Sequence, residues 1–152
     1  MEGVNFLERE LSYKLVGCFY DVRNLYGSGL REKFFDEALD EILMKAGLPF
    51  VNKPRILLYS KITGKIISYR IPDKLVADKI IVEIKAKPFT SPQDAMQAKE
   101  YLSITSYEIL YLINFGEPYF KPIRLIKTND RKPFLNFSNS HPSNLSHNPS
   151  NP

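Results

Sequence analysis

The stretch Tyr69–Lys87, YRIPDKLVADKIIVEIKAK, decides the fold of this chain. Successive side chains of a strand point to opposite faces of the sheet. Val82 and Ile84 therefore share an apolar face that is typical of a core. The opposite face carries Glu83 and Lys85, and burying such charges is costly unless they are paired or hold a metal. The strand thus predicts a core element with one chemically active face.

A hairpin is predicted to bring a second carboxylate, that of Asp73, to Glu83. Ala77-Asp78 can turn the chain back after a short apolar strand, with Lys85 two residues beyond Glu83. Two carboxylates and a backbone carbonyl, that of Ile84, suit a hard cation such as Mg²⁺. A nearby lysine can orient a water or neutralise charge that grows on a phosphate. The alternative is a surface Glu–Lys pair on an edge strand, because short D…ExK matches are common.

Length and composition indicate one soluble globular domain. The chain has 152 residues, of which 43% are apolar and 25% charged, and these values are ordinary for such a domain. Its apolar runs are far shorter than the ~20 residues that span a bilayer, so we expect no membrane partner. Because Met1 is followed by an acidic and basic amphipathic segment, no signal peptide is expected. The single cysteine fits a reducing, cytoplasmic location. The net charge of +4 permits contact with nucleic acid. The single cysteine, Cys18, excludes an internal disulfide framework and a cysteine-based zinc site, and its apolar neighbours indicate a packed thiol.

Two amphipathic helices are predicted before the sheet. Apolar residues recur every three or four positions from Phe6 to Tyr26, and again from about Leu30 to Ala46. At about 100° per residue, Glu32 lies between the directions of Leu39 and Leu43, on the core-facing side of its helix. The alternative is that Glu32, in the first turn, favours the helix dipole or caps a backbone amide.

The middle of the chain predicts a meander followed by a crossover. The meander strands lie within Val51–Ser60, Lys65–Ile71, Leu75–Val76 and Ile80–Lys85. A third helix starts at Ser91-Pro92 and runs to about Ile104, with Gln97 and Tyr101 on one face. Tyr107–Phe115 follows as a buried strand, which implies a right-handed crossover between parallel strands. A last strand is predicted over Phe120–Lys127.

The composition changes at Thr128, where the chain becomes rich in Asn, Ser and Pro. We therefore expect a folded domain over residues 1–127 and a disordered tail over residues 128–152. Both histidines, His141 and His147, lie in that tail. A mobile segment holds catalytic geometry poorly, so histidine-based triads and histidine-rich zinc sites are not expected in the folded part.

The order of these motifs resembles the PD-(D/E)XK nuclease superfamily, particularly its RecB-type and lambda-exonuclease-like members. An inward Glu on a helix is followed by Asp, then by Glu-x-Lys on a strand, then by Gln-x-x-x-Tyr on the next helix. More narrowly, Gly29–Phe35, GLREKFF, looks like the signature of the GxxExxY protein family, with Phe35 in place of the tyrosine. Ala38-Leu39, the stretch IIVEIKA and Leu112–Gly116, LINFG, extend the similarity, which covers roughly Leu7 to Leu125.

The resemblance implies an α/β (α+β) fold with a restriction-endonuclease-like core, in which N-terminal helices precede a central mixed sheet flanked by helices. It implies a nuclease that uses Mg²⁺ or Mn²⁺ to hydrolyse phosphodiesters, with DNA favoured over RNA. Asp73 and Glu83 would bind the metal, and Glu32 would be an accessory ligand or would orient a water. Lys85 would stabilise or position the nucleophile. Gln97 and Tyr101 would support the site or contact the nucleic-acid backbone.

Two departures from the family pattern accompany the resemblance, and two other functional classes compete with it. Phe35 lacks the hydroxyl of a tyrosine, and Lys74 places a charge where the pattern has an apolar residue. One alternative is a catalytically inactive nucleic-acid-binding or scaffold protein that keeps the nuclease fold. The other is an ordinary α/β domain whose charges form structural ion pairs. The intact set of Asp73, Glu83 and Lys85 favours the enzyme.

Overall fold

The computed structural model describes residues 6–137. Within them lie three α-helices, α1 (Arg9–Tyr26), α2 (Glu32–Lys45) and α3 (Pro92–Leu102). The strands are β1 (Phe50–Asn52), β2 (Ile56–Tyr59), β3 (Ile66–Arg70), β4 (Lys74–Val76), β5 (Ile80–Lys85), β6 (Ile109–Asn114) and β7 (Ile123–Ile126). Two 3-10 helices, Asn129–Arg131 and Pro133–Asn136, follow β7. None of the helices among residues 6–137 has both the length and the apolar content to cross a bilayer.

A five-stranded mixed sheet forms the centre, in the order β1-β4-β5-β6-β7. β4 and β5 form the predicted antiparallel hairpin. Its three-residue connection, 77–79, places Ala77 and Asp78 at positive φ, 53° and 57°, which reverses the chain between the two strands. The prediction of a central mixed sheet flanked by helices is confirmed.

The crossover from β5 to β6 is also confirmed. Ser91 caps α3, since its hydroxyl accepts from the Asp94 N–H and the Asp94 carboxylate accepts from the Ser91 N–H. Pro92 occupies the first helical position, where its missing N–H costs nothing. After α3 the chain enters β6, which pairs with β5 in parallel over all six residues of each strand.

The prediction of one continuous meander is wrong. β2 and β3 pair only with each other, as a separate antiparallel hairpin. The edge of β4 that β3 would have used is taken by β1. Pro72 lies between β3 and β4 and has no N–H for a ladder, so the chain leaves the β2–β3 hairpin before it joins the central sheet. This hairpin stands beside the sheet instead of within it.

The sheet separates two cores. On one face, α1 and α2 pack on every second residue of β5, including Val82 and Ile84. Ile81 belongs to the other face, where it packs with α3 and with residues of β2 and β6. The predicted division of β5 into two faces therefore holds. Cys18 lies in the first core as a buried free thiol, as expected.

The expected tail boundary at Lys127 needs correction. Lys132 is 1% exposed, and its ammonium donates to the carbonyl of Thr105 at 3.0 Å. Phe134 is 3% exposed and its ring centroid lies 6.1 Å from that of Tyr59. A few anchoring side chains thus fold back onto the domain within a segment whose composition is that of a tail. The rest of the predicted tail, residues 138–152, lies outside the described residues.

Candidate active site

The candidate site lies where the last residues of β5 extend past the first residue of β4. The Cα register pairs Lys74 with Val82, so Asp73, immediately before β4, comes opposite Glu83. Lys85 follows at the end of β5, and Glu32 is the first residue of α2. Asp73 and Lys85 both perturb the pKa of Glu32 and that of Glu83. The four side chains selected from the sequence are therefore within electrostatic reach of one another.

Asp73 is held by two donors. One carboxylate oxygen accepts from the backbone N–H of Ile84 at 2.6 Å, and the other from the ammonium of Lys53 at 2.9 Å. The N–H and C=O of one strand residue point toward the same neighbouring strand. The Ile84 carbonyl therefore also faces the side of Asp73. This arrangement places two carboxylates and one backbone carbonyl along the open edge of β5.

Glu83 is the most strongly perturbed carboxylate of the site. Its side chain is 19% exposed, and burial followed by repulsion from Asp73 raises its pKa to about 7. Arg70, Lys85 and Lys53 oppose the shift. The nearest guanidinium nitrogen of Arg70 is 3.8 Å from the carboxylate, which is too far for a hydrogen bond. Glu83 is thus a buried acid whose negative charge is incompletely balanced.

The raised pKa of Glu83 predicts that stability falls as the pH rises from about 4.5 to about 7. Below pH 4.5 the carboxyl is protonated in both the native and the unfolded state. Between pH 4.5 and about 7 the native state keeps a proton that the unfolded chain has released, so the free energy of unfolding falls as the pH rises. We expect Glu83→Gln to remove this dependence and to stabilise the protein at pH 8 by up to about 3 kcal/mol. Urea unfolding across this pH range measures the effect. The exposed Glu41→Gln on α2 is the control, and equal pH dependence of wild type and Glu83→Gln would refute the assignment.

Glu32 is exposed at the start of α2, yet it senses the site. Partial desolvation and the charge of Asp73 raise its pKa, while Lys85 and Lys53 lower it. The residue before α2 that acts as its N-cap is Arg31, whose side chain makes no capping hydrogen bond. The predicted direction of Glu32, toward the core-facing side of α2, stays a prediction, as does its role in the site.

Three residues at the site were missed by sequence reasoning. Lys53 bridges two carboxylates, since its ammonium also lies 3.5 Å from Asp36. Arg70 reaches Glu83 from the end of β3. A signal existed for Asp36, which lies four residues after Glu32 and so on the same helical face. No comparable spacing marked the two cations, because the pairing of β1 with β4 brings Lys53 to Asp73 and the separate β2–β3 hairpin brings Arg70 to Glu83.

Lys74, noted as a departure from the family pattern, points to the opposite face of β4. It is fully buried, and its ammonium binds the carboxylate of Asp36, that of Asp40 at 2.5 Å and the side-chain oxygen of Asn52 at 2.8 Å. Asp36 therefore contacts both Lys74 and Lys53. A line of alternating charges, Lys74, Asp36, Lys53 and Asp73, connects the first core to the candidate site.

Gln97 and Tyr101 differ in their surroundings. Tyr101 is 4% exposed, and the guanidinium of Arg70 lies 4.7 Å above its ring. Burial, followed by the charge of Glu83, raises the pKa of this tyrosine. Its hydroxyl is buried and has no hydrogen-bond partner among the described residues. Gln97 is exposed one turn earlier, and its contribution stays a prediction.

The donor chemistry of Asp73, Glu83 and the Ile84 carbonyl fits a divalent cation. Within residues 6–137 no three His, Cys, Asp or Glu side chains are grouped to hold a metal. Lys53 and the Ile84 N–H already engage both oxygens of Asp73. Mg²⁺ needs only one or two carboxylates, since it keeps several waters. The repulsion between Asp73 and Glu83 is the interaction that a cation would relieve.

Comparison with known proteins adds one finding. A family model described as the PD-(D/E)XK nuclease superfamily matches residues 9–126. The matched region includes Glu32, Asp73, Glu83, Lys85 and Tyr101. No curated protein and no solved structure matches the chain.

Proposed function

Because the chain belongs to the PD-(D/E)XK nuclease superfamily, we propose that it is a divalent-metal-dependent nuclease that hydrolyses phosphodiester bonds in DNA. The observation that supports this most is the pairing of Asp73 with Glu83 at the end of β5, with Lys85 beside them. Burial and repulsion from Asp73 destabilise the negative charge of Glu83, and the neighbouring cations of the protein balance it only in part. Such perturbed carboxylates concentrate at functional sites.

Within the superfamily, we propose that the chain is a GxxExxY protein with RecB-type or lambda-exonuclease-like relatives. The support is the sequence GLREKFF over residues 29–35, which ends at Phe35 in place of a tyrosine. Phe35 is fully buried and stacks on Phe115 at 4.7 Å between ring centroids. Its contribution is therefore packing of α2 on the sheet, and the polar role of a tyrosine at this position is not needed for the fold.

We propose Asp73, Glu83 and the Ile84 carbonyl as the groups that would hold Mg²⁺ or Mn²⁺, with Glu32 as an accessory. A divalent ion bound there would supply positive charge for the phosphate and lower the pKa of a coordinated water. The ammonium of Lys53 would then have to leave Asp73, and Asp36, at 3.5 Å, is the anion positioned to keep it nearby. Asp36 would thus pair with the Lys53 ammonium after a metal displaced it from Asp73.

The remaining charges suggest how the chain would treat its substrate. Lys85, half-buried beside both Glu32 and Glu83, would neutralise charge growing on the phosphate or position the attacking water. Glu32, whose pKa is raised, is suited to accept a hydrogen bond from that water or to receive its proton. Arg70, between Glu83 and Tyr101, would contact the phosphate next to the one that is cleaved.

Cleavage of linear duplex, circular, single-stranded and RNA substrates tests the proposal, with Mg²⁺ or Mn²⁺ and with chelator. We expect metal-dependent cleavage of DNA, and Asp73→Asn should reduce it by about 100-fold or more, since even outer-shell partners of a metal contribute 10–100-fold. Asp21→Asn, the same change at an exposed position of α1, is the matched control. Equal cleavage by Asp73→Asn and the control would reject this site.

The second candidate is a nucleic-acid-binding or scaffold protein without turnover. The observation that favours it is the ion pair between Lys53 and Asp73, which satisfies the carboxylate without a metal. A protein of this class would bind DNA in the presence of chelator. Its melting temperature would not rise with Mg²⁺ or Mn²⁺, whereas a ligand that binds the native state raises it. Thermal melts with and without metal therefore separate the two candidates.

A further inference from the structure

The β2–β3 hairpin and its flanks form a basic segment of the described chain. Residues 53–72, KPRILLYSKITGKIISYRIP, contain five Lys or Arg and no Asp or Glu. The two ends of the segment reach the candidate site: Lys53 contacts Asp73, and Arg70 contacts Glu83. A positive surface therefore begins at the site and extends away from it along the hairpin.

β3 of this hairpin presents apolar side chains to solvent. All five of its residues are exposed. Ile67, at a register irregularity, Tyr69, and Ile71 just after the strand are 71%, 45% and 52% exposed. The guanidinium of Arg55 covers the Tyr69 ring at 3.8 Å from its centroid. An aromatic ring, a planar cation and two branched apolar side chains thus form one exposed row.

Side chains and backbone of β2 fix the hairpin to the domain. Ile56 and Tyr59 of β2 are 1% and 3% exposed, and the Tyr59 N–H donates to the carbonyl of Ile104 at 3.0 Å. At the turn, Gly64 has a φ of 75° and lies against Phe137, with no room for a side chain. The exposed row is therefore presented by an element that is packed along its length.

We propose that this hairpin surface, defined by Arg55, Lys61, Lys65, Ile67 and Tyr69, binds a single-stranded segment of DNA adjoining the cleaved bond. The proposal rests on the proposed nuclease function, to which it adds the form of the substrate. The three cations of this surface, in a segment without an acid, complement a phosphate backbone. In a duplex the base faces are covered by stacking, whereas an unpaired strand offers them to aromatic and guanidinium groups. The exposed apolar row favours the unpaired strand.

Fluorescence anisotropy in excess chelator, where no cleavage can occur, tests the proposal with a labelled oligothymidylate and a duplex of equal length. We expect the single strand to bind more tightly. Tyr69→Ala should weaken its binding roughly 5- to 150-fold, and Tyr69→Phe should retain it, because stacking needs only the ring. Lys61→Ala with Lys65→Ala should lower the salt slope by about 1.4, since each phosphate contact on a single strand contributes about 0.7.

The matched control removes two exposed lysines from the helices on the other side of the sheet, Lys14→Ala with Lys45→Ala, and should leave the slope unchanged. Unaltered binding by the Tyr69 and lysine variants would overturn the hairpin proposal and leave the nuclease untouched. Tighter binding of the duplex would also overturn it. So would a dimer that Ile67→Asp dissociates, which would assign the surface to a second copy. Binding through the hairpin without cleavage in Mg²⁺ or Mn²⁺ would instead reject the nuclease.

Discussion

Replacing Lys85 with alanine is expected to reduce DNA cleavage by about 100- to 1,000-fold, the usual effect of removing one group that stabilises transition-state charge. Lys85 is half-buried at the end of β5 and lowers the pKa of both Glu32 and Glu83. Its positive charge therefore lies within electrostatic reach of both carboxylates of the proposed site. An ammonium is not a metal ligand, so Mg²⁺ or Mn²⁺ should still raise the melting temperature of the variant.

Single-turnover cleavage and thermal melts on the same samples separate the two contributions. Lys79→Ala is the matched control, because Lys79 lies just before β5, is largely exposed and pairs with Glu8 instead of the site. Glu83→Gln should show the converse pattern, with loss of the metal-induced rise in melting temperature as well as loss of cleavage. Normal cleavage by Lys85→Ala would remove this residue from the mechanism. A full metal response in Glu83→Gln would remove Glu83 from the metal site.

Local sequence patterns were sufficient to predict the elements that carry the Asp73 and Glu83-x-Lys85 motifs. Alternation along β5 divided it correctly into a core face and a charged face, and the turn at Ala77-Asp78 placed Asp73 opposite Glu83. Such contacts are predictable because a hairpin register follows from its turn and its apolar pattern. The Ser91-Pro92 start of α3 was equally clear, since capping depends only on neighbouring residues.

The parts that escaped prediction depend on contacts between segments far apart in the chain. Lys53 and Arg70 reach the carboxylates only because β1 displaces β3 from the sheet, and that choice of neighbour has no local signal. Lys132 is buried, and its ammonium donates to backbone carbonyls of Thr105 and Tyr107 just before β6. Composition around it indicated a tail, and two or three anchoring side chains do not alter composition. Contacts that single residues make with distant segments therefore could not be predicted from the sequence pattern.

Lys74→Met is expected to lower the free energy of unfolding by about 3–5 kcal/mol, the usual cost of removing one partner of a buried charge cluster. Lys74 is fully buried, while its acidic partners Asp36 and Asp40 have side chains that are 19% and 22% exposed. Methionine preserves most of the apolar stem but leaves both carboxylates facing each other without the cation that they share. The loss should therefore come from unpaired charge, with little contribution from lost volume.

A triple variant distinguishes these causes. Adding Asp36→Asn and Asp40→Asn to Lys74→Met removes the whole charge cluster and should recover most of the stability, because neutral replacement of a complete buried cluster is often tolerated. Lys33→Met on α2, which breaks a surface pair with Glu37, should unfold in urea like the wild type. Asp36 also lies beside Lys53, so Lys74→Met should strengthen the hold of Asp36 on Lys53 and free Asp73 for metal. Wild-type stability of Lys74→Met would show that the buried ammonium is not required to neutralise Asp36 and Asp40.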